Sequence, residues 1–208
     1  RRPPRSTLSP SSAASDVYKR QIRLLAETGT SVCHCPASNM KLGSGIARVI
    51  EMRRQGVNVA LGCDGGPSNN TYDMFREMRL AVLLQRVRLL STTEFSAEDV
   101  LEMATICGAK ALGMENEIGS LEPGKKADVI LIDTKFPGLT PNVNPVSNIV
   151  YVASGHNVDT VIVDGRILMI NKKVLTLDEE EILREASERI IEVMKRANVK
   201  SEFKWKLV

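Results

Sequence analysis

The stretch VNVALGCDGGPSNN, residues 57–70, decides how the rest of this chain is interpreted. Its first five residues are mostly apolar and predict a buried β-strand, and the glycines, proline and asparagines that follow predict a sharp turn. Asp64 stands where the strand gives way to the turn. Polar residues at the carboxyl ends of strands face the active site of a parallel α/β barrel, so Asp64 is a candidate functional residue. An aspartate before glycine is also a common loop former, and the spacing alone leaves both interpretations open.

Strands and helices alternate on both sides of this stretch. A strand over residues 30–35, a loop and a helix over residues 45–55 precede it. A long, largely apolar helix over residues 71–90 follows, which Ser68 and Asn69 are expected to cap. Short connections between alternating strands and helices predict parallel strands in an α/β layer.

The pattern changes in the second half of the chain. A helix with a capping-box pattern opens at Ser96 and is expected to end at Gly113. Short β-rich runs then follow at residues 127–133, 149–153, 159–163 and 166–170. Asp164-Gly165 signals a hairpin between the last two runs, and residues 178–198 form an amphipathic helix.

These patterns divide the chain into four predicted parts. Residues 1–21 are basic and rich in proline and serine, and they predict a disordered leader that is not native to the protein. Residues 22–116 carry the α/β alternation, residues 117–177 the short strands, and residues 178–208 a C-terminal helix and tail.

Composition limits the classes of partner. The net charge of +3 on 208 residues gives no reason to expect nucleic acid, and no apolar run reaches the ~18 residues that a membrane span needs. Four cysteines in a chain of this length and apolar content do not indicate a disulfide scaffold. We therefore expect a reducing compartment, the cytoplasm.

His34 is the second candidate site residue, because it too ends a predicted strand. A neutral imidazole can bind a metal, or hydrogen-bond a substrate or a carboxylate. Cys33 and Cys35 flank it, but neighbouring residues on a strand point to opposite faces and no second Cys/His pair lies nearby. A closed four-ligand zinc site is therefore not predicted here.

Four motifs in order resemble those of deaminases of the amidohydrolase superfamily. They are HCPASNMKL at 34–42, LGCDGGPSNN at 61–70, IGSLEPGKKADVILID at 118–133 and VDTVIVDGRI at 158–167. The first two resemble the seventh and eighth strand ends of a (β/α)8 barrel, and the others resemble the β-sandwich that follows it. The most similar subgroup is the 5-methylthioadenosine/S-adenosylhomocysteine deaminases. The resemblance thus implies part of a barrel over residues 22–116 and a sandwich segment over residues 117–177.

The resemblance also implies a chemistry. Asp64 corresponds to the aspartate that binds one divalent metal, zinc or alternatively iron, and takes a proton from its water. The implied reaction is hydrolytic deamination of a purine-type substrate such as 5-methylthioadenosine, S-adenosylhomocysteine or adenosine. Cys63 stands where the family usually has threonine. Residues expected to contact the substrate or to support the metal ligands are His34, Ser38, Asn39, Ser68 and Asn69.

The family's other metal ligands, an early His-x-His pair and two later histidines, have no counterpart in this sequence. We therefore expect the chain by itself to be inactive, and to aggregate or bind partners through uncovered strand edges. The full-length enzyme is expected to act on a small molecule as a homo-oligomer. Two alternatives stay open: a triazine-type or guanine amidohydrolase, and a non-catalytic half-barrel that serves binding or assembly.

Overall fold

The computed structural model describes residues 12–199 of the chain. The first half alternates two short strands with helices, which confirms the predicted α/β class. In chain order its elements are α1 (Ser12–Glu27), β1 (Val32–His34), α2 (Pro36–Lys41), α3 (Val49–Arg54), β2 (Val59–Leu61), α4 (Gly66–Asn69), α5 (Met74–Leu89), α6 (Ala97–Ala104) and α7 (Ile106–Leu112).

The two strands β1 and β2 pair in parallel. Val32 lies beside Val59, and His34 lies beside Leu61. Backbone hydrogen bonds extend the pairing past both ends, from Val32 N–H to the Asn58 carbonyl (2.8 Å) and from Gly62 N–H to the His34 carbonyl (3.0 Å). Because parallel strands end at the same edge of a sheet, the connection after β1 (residues 35–48) and the connection after β2 (residues 62–73) are neighbours. We call these connections the two loops, although they include the short helices α2 and α4.

One face of this strand pair is covered by helices. Val59 and Leu61 belong to the hydrophobic core. The helices α5 and α6 contribute Met78, Val82, Val100 and Met103 to the same core. Since side chains alternate along a strand, Ala60 and Gly62 face away from these helices. A Cβ built on Gly62 would lie 2.4 Å from Cys33 Sγ, so the glycine lets the two strands approach at this point.

The second half contains a four-stranded antiparallel sheet in chain order. Its elements are β3 (Val129–Ile132), α8 (Pro145–Tyr151), β4 (Val158–Val163), β5 (Arg166–Ile170), β6 (Lys173–Val174) and α9 (Glu179–Arg196). The hairpin predicted between β4 and β5 is confirmed. Asp164 and Gly165 both have positive φ, 50° and 75°, as a two-residue type I′ turn requires. The helix predicted over residues 178–198 is present as α9, and none of its described side chains is buried.

The strand predicted at residues 149–153 is wrong, because this segment lies mostly in helix α8. Its valine, isoleucine and tyrosine favour a strand, but the start signals of a helix precede them. Pro145 occupies the first turn, and the Asn144 side chain accepts a hydrogen bond from Ser147 N–H at 2.9 Å. Burial of Val150 in the core then stabilises the helix.

Four features of the helices in the first half also differ from the prediction. Residues 36–41, expected in a loop, form α2, and the helix expected from residue 45 begins only at Val49. Helix α5 begins at Met74 and is capped by Asp73, which accepts hydrogen bonds from the Phe75 and Arg76 N–H groups. Ser68 and Asn69, predicted to cap this helix, lie instead in α4. The helix that opens with the confirmed capping box at Ser96 breaks at Thr105 into α6 and α7.

A disordered leader was predicted over residues 1–21, whereas helix α1 begins at Ser12. Residues 1–11 lie outside the described part of the chain, and the foreign origin of the leader stays a prediction. Within residues 12–199, no helix combines the length and apolarity that a membrane span requires.

We expect Gly62→Ala to lower the free energy of unfolding by roughly 1–3 kcal/mol, because the new methyl group overlaps Cys33 Sγ. The matched control is Gly108→Ala in α7, where the new Cβ meets nothing closer than 4.0 Å. That change should be neutral or stabilise the helix by about 0.5–1 kcal/mol. Denaturant unfolding of the full-length protein, followed by circular dichroism, checks both. Equal effects of the two substitutions would contradict close packing at Gly62.

Candidate functional site

Asp64 lies directly after β2 in an uncommon backbone conformation. Its φ is 62°, in the left-handed region, where aspartate is tolerated better than most residues with a side chain. The side chain is exposed at the edge where both parallel strands end. This conformation turns the chain sharply, and Gly65 N–H donates a hydrogen bond back to Oδ1 at 2.8 Å.

Two serines from different loops hold the other carboxylate oxygen. Ser38 Oγ, in the loop after β1, donates to Asp64 Oδ2 at 2.6 Å. Ser68 Oγ lies 2.9 Å from Oδ2 and also 2.9 Å from the Gly65 carbonyl oxygen. The hydrogen bond from Ser38, with those from Gly65 N–H and Ser68, lowers the pKa of Asp64 below its usual value. The carboxylate is therefore ionised and oriented, and Oδ1 keeps a free acceptor site.

His34 occupies a different place from the one expected of a substrate-facing residue. Its side chain is 2% exposed and shares a strand face with Val32, which packs against the core. Neither ring nitrogen has a hydrogen-bond partner among residues 12–199. Burial lowers the pKa of His34 to about 4, so the imidazole is neutral. A contact between His34 and a substrate stays a prediction.

Asn69 is buried inside the loop that carries Asp64. Its Nδ2 donates to the Cys63 carbonyl at 2.6 Å and to Glu77 Oε1 at 2.8 Å. Its Oδ1 accepts hydrogen bonds from the backbone and side chain of Thr71, at 3.1 and 2.9 Å. Asn69 thus shapes the loop, whereas Asn39 is half-buried in α2.

Two residues that sequence reasoning missed also join the loops. Lys41 Nζ in α2 donates to the Pro67 carbonyl at 2.7 Å and to Asn70 Oδ1. Glu77 in α5 is fully buried and accepts a hydrogen bond from Ala37 N–H at 3.1 Å. The only sequence signal for Glu77 is an acid within a helix predicted as largely apolar, four residues before the buried Ala81.

Thiols line the side of the strand pair that faces away from the helices. Cys33 Sγ and Cys35 Sγ both lie near Gly62. Burial, with Cys33 beside it, raises the pKa of the Cys35 thiol to about 12. Burial likewise raises the pKa of Cys63. All four cysteines of the chain are unpaired.

Asp64 fits one position of a metal site. It offers an ionised, exposed carboxylate with a free acceptor site, which suits a divalent cation. In the part of the chain that the structure describes, no group of three or more His, Cys, Asp or Glu side chains could hold a metal ion. Further ligands would have to come from elsewhere.

Comparison with known sequences gives one consistent family. Residues 7–168 match the amidohydrolase family. The chain is 51% identical over 170 residues to the 5-methylthioadenosine/S-adenosylhomocysteine deaminase of Moorella thermoacetica, covering 82% of this chain and 40% of that protein. It is 47% identical over 179 residues to the 5'-deoxyadenosine deaminase of Methanobrevibacter smithii, covering 86% and 41%. The chain thus spans about two fifths of the length of these curated relatives.

Two solved structures superpose on most of this chain. An adenosine deaminase from Xanthomonas campestris with bound zinc superposes with a TM-score of 0.83 at 35% identity, over 85% of this chain and 40% of that one. The atrazine chlorohydrolase of Arthrobacter aurescens, also complexed with zinc, superposes with a TM-score of 0.76 at 27% identity, over 83% and 38%.

We expect Cys35 to resist alkylation. With a pKa of about 12, roughly one thiol in ten thousand is ionised at pH 8, and only the thiolate reacts. Iodoacetamide labelling followed by peptide mass spectrometry should show Cys35 reacting at least about a hundredfold more slowly than in the urea-denatured protein. Labelling at the denatured rate would contradict the burial of this thiol.

Proposed function

The chain belongs to the amidohydrolase family, and from that premise we propose that it is part of a longer metal-dependent deaminase, its parent. Residues 22–116 then correspond to strands 7 and 8 of a (β/α)8 barrel with their flanking helices. Residues 117–177 belong to a β-sandwich, and residues 178–208 form the C-terminal helix and tail. The substrate is a purine-type nucleoside such as 5-methylthioadenosine, S-adenosylhomocysteine or adenosine.

The observation that carries this proposal is the state of the Asp64 carboxylate. It stands at the carboxyl end of a parallel strand, is exposed, and accepts hydrogen bonds from Ser38, Ser68 and Gly65 N–H. These donors fix its orientation and leave Oδ1 able to bind a cation. A non-catalytic half-barrel has no need of a left-handed, pre-oriented aspartate at this position, because such a conformation costs stability.

The reaction assigns two tasks to Asp64. A divalent ion, zinc or alternatively iron, would supply water made more acidic by the bound cation. Asp64 would be one of the residues that hold the ion, and its carboxylate would accept a proton and return it to the amine that departs as ammonia. Ser38 and Ser68 hold the ionised carboxylate in a fixed orientation before this transfer. The zinc bound in both similar structures supports zinc here.

Purine deamination is favoured over the triazine alternative by sequence identity. The purine-type deaminases reach 47–51% identity, whereas the atrazine chlorohydrolase reaches 27%. A small-molecule substrate and a homo-oligomeric parent remain part of the proposal. Four unpaired cysteines agree with a reducing compartment, for which we propose the cytoplasm.

The test of Asp64 is Asp64→Asn in the parent. Asparagine tolerates the left-handed backbone but binds metal weakly and accepts no proton, so kcat/KM for ammonia release should fall about 10²–10⁴-fold. The matched control is Asp164→Asn, another left-handed aspartate before glycine, located in the β4–β5 hairpin. It should leave kcat/KM unchanged. Equal activities of the two variants would contradict the role of Asp64 as metal ligand and proton acceptor.

The 208-residue chain produced alone should release no ammonia, because Asp64 by itself cannot retain a catalytic ion. It should also self-associate, since apolar side chains such as Leu121 (82% exposed) and Leu90 (93% exposed) lie uncovered. Size-exclusion chromatography with light scattering checks the second point. A soluble monomer that unfolds cooperatively, or measurable deamination, would contradict this expectation.

A further inference from the structure

Glu77 is a fully buried carboxylate that the proposed reaction does not use. It lies in the first turn of α5 with 0% of its surface exposed. Burying a carboxyl group is costly unless its oxygens are hydrogen-bonded. The N-terminus of a helix also favours an acid at this place. A residue of this kind, kept next to a candidate site, calls for a role beyond packing.

Each oxygen of Glu77 accepts a hydrogen bond from a different loop. Oε2 accepts from Ala37 N–H at 3.1 Å, in the segment that follows β1. Oε1 accepts from Asn69 Nδ2 at 2.8 Å, in the segment that follows β2. Residues 37 and 69 are 40 and eight positions away from Glu77. One carboxylate therefore joins the two loops that the parallel strands bring together.

Both connections lead to Asp64 within one residue. Ala37 directly precedes Ser38, whose hydroxyl donates to Asp64 Oδ2. Asn69 Nδ2 also donates to the carbonyl of Cys63, which directly precedes Asp64. A shift of either connection would move the Ser38 hydroxyl relative to the carboxylate that it orients.

We propose that Glu77 is a positioning residue that sets the spacing of the two loops, so that Ser38 meets Asp64 at hydrogen-bonding distance. The inference rests on the proposed function of Asp64 for its effect on rate. Its effect on geometry is independent of any activity. Glu77 thus contributes orientation, and an error of about 1 Å in such orientation can cost a hundredfold in rate.

The test is Glu77→Gln in the full-length parent. Glutamine has the same size but only one acceptor atom, so it cannot accept from both Ala37 N–H and Asn69 Nδ2. We expect kcat to fall about tenfold or more with KM within about threefold. A crystal structure of the variant should show Ser38 Oγ beyond 3.5 Å from Asp64 Oδ2, outside hydrogen-bonding distance.

The matched control is Gln85→Glu, an equally buried residue two turns further along α5. Its Nε2 donates to the Ala47 carbonyl at 2.9 Å and its Oε1 accepts from Arg88, away from both loops. The control also introduces a mismatched buried group and lowers the melting temperature, but it should leave kcat and the Ser38–Asp64 distance unchanged. If Glu77→Gln fails to fold, Asn69→Ala breaks one of the two connections and should lower kcat in the same direction.

A Ser38→Ala background adds a readout that a merely structural role would not change. If Glu77 acts through Ser38, then Glu77→Gln should cost less than about threefold in kcat once the Ser38 hydroxyl is absent. The inference is overturned if Ser38→Ala and Glu77→Gln lower kcat by independent factors that multiply in the double variant. It is also overturned if the Ser38–Asp64 distance stays near 2.6 Å in Glu77→Gln. If the wild-type parent is inactive but its Glu77→Gln variant still shows the longer Ser38–Asp64 distance, the proposed function is overturned and the positioning role stands.

Discussion

The parallel pairing of β1 with β2 is the constraint on which the rest of the structure depends. It places two strand ends at one edge and makes neighbours of loops whose residues are far apart in sequence. Ser38 and Asp64, separated by 26 positions, meet at 2.6 Å only because of this pairing. The packed face of the sheet, with Val59 and Leu61 against α5 and α6, keeps the pair in register.

The site is built from features that cost stability and are compensated by hydrogen bonds. Asp64 adopts a left-handed backbone, and Glu77 buries a carboxylate on the side of α5 that faces the core. Each carboxylate oxygen accepts at least one hydrogen bond, and Asn69 satisfies both ends of its amide. Such an arrangement is typical of a site selected for orientation, because apolar residues would fill the same space at lower cost.

Much of this could be predicted from sequence, because the decisive signals are local. The apolar run before Asp64 and the glycines after it predict a strand end and a turn without knowledge of distant contacts. Local propensity was misleading at residues 149–153, where Pro145 and the cap residue Asn144, just upstream, outweigh the β-branched side chains. The buried role of Glu77 was not predictable, since its partner Ala37 lies 40 positions away. The orientation of His34 likewise depends on which face of β1 the helices cover.

The central claim is that Asp64 belongs to a metal-dependent deaminase site that the parent completes. The most direct measurement is ammonia release from adenosine-type substrates by the full-length parent, before and after removal of metal with a chelator. The account predicts release that disappears on chelation and returns with added zinc. Release that is unaffected by complete removal of metal, or a parent that releases no ammonia from any purine nucleoside while fully loaded with zinc, would contradict it.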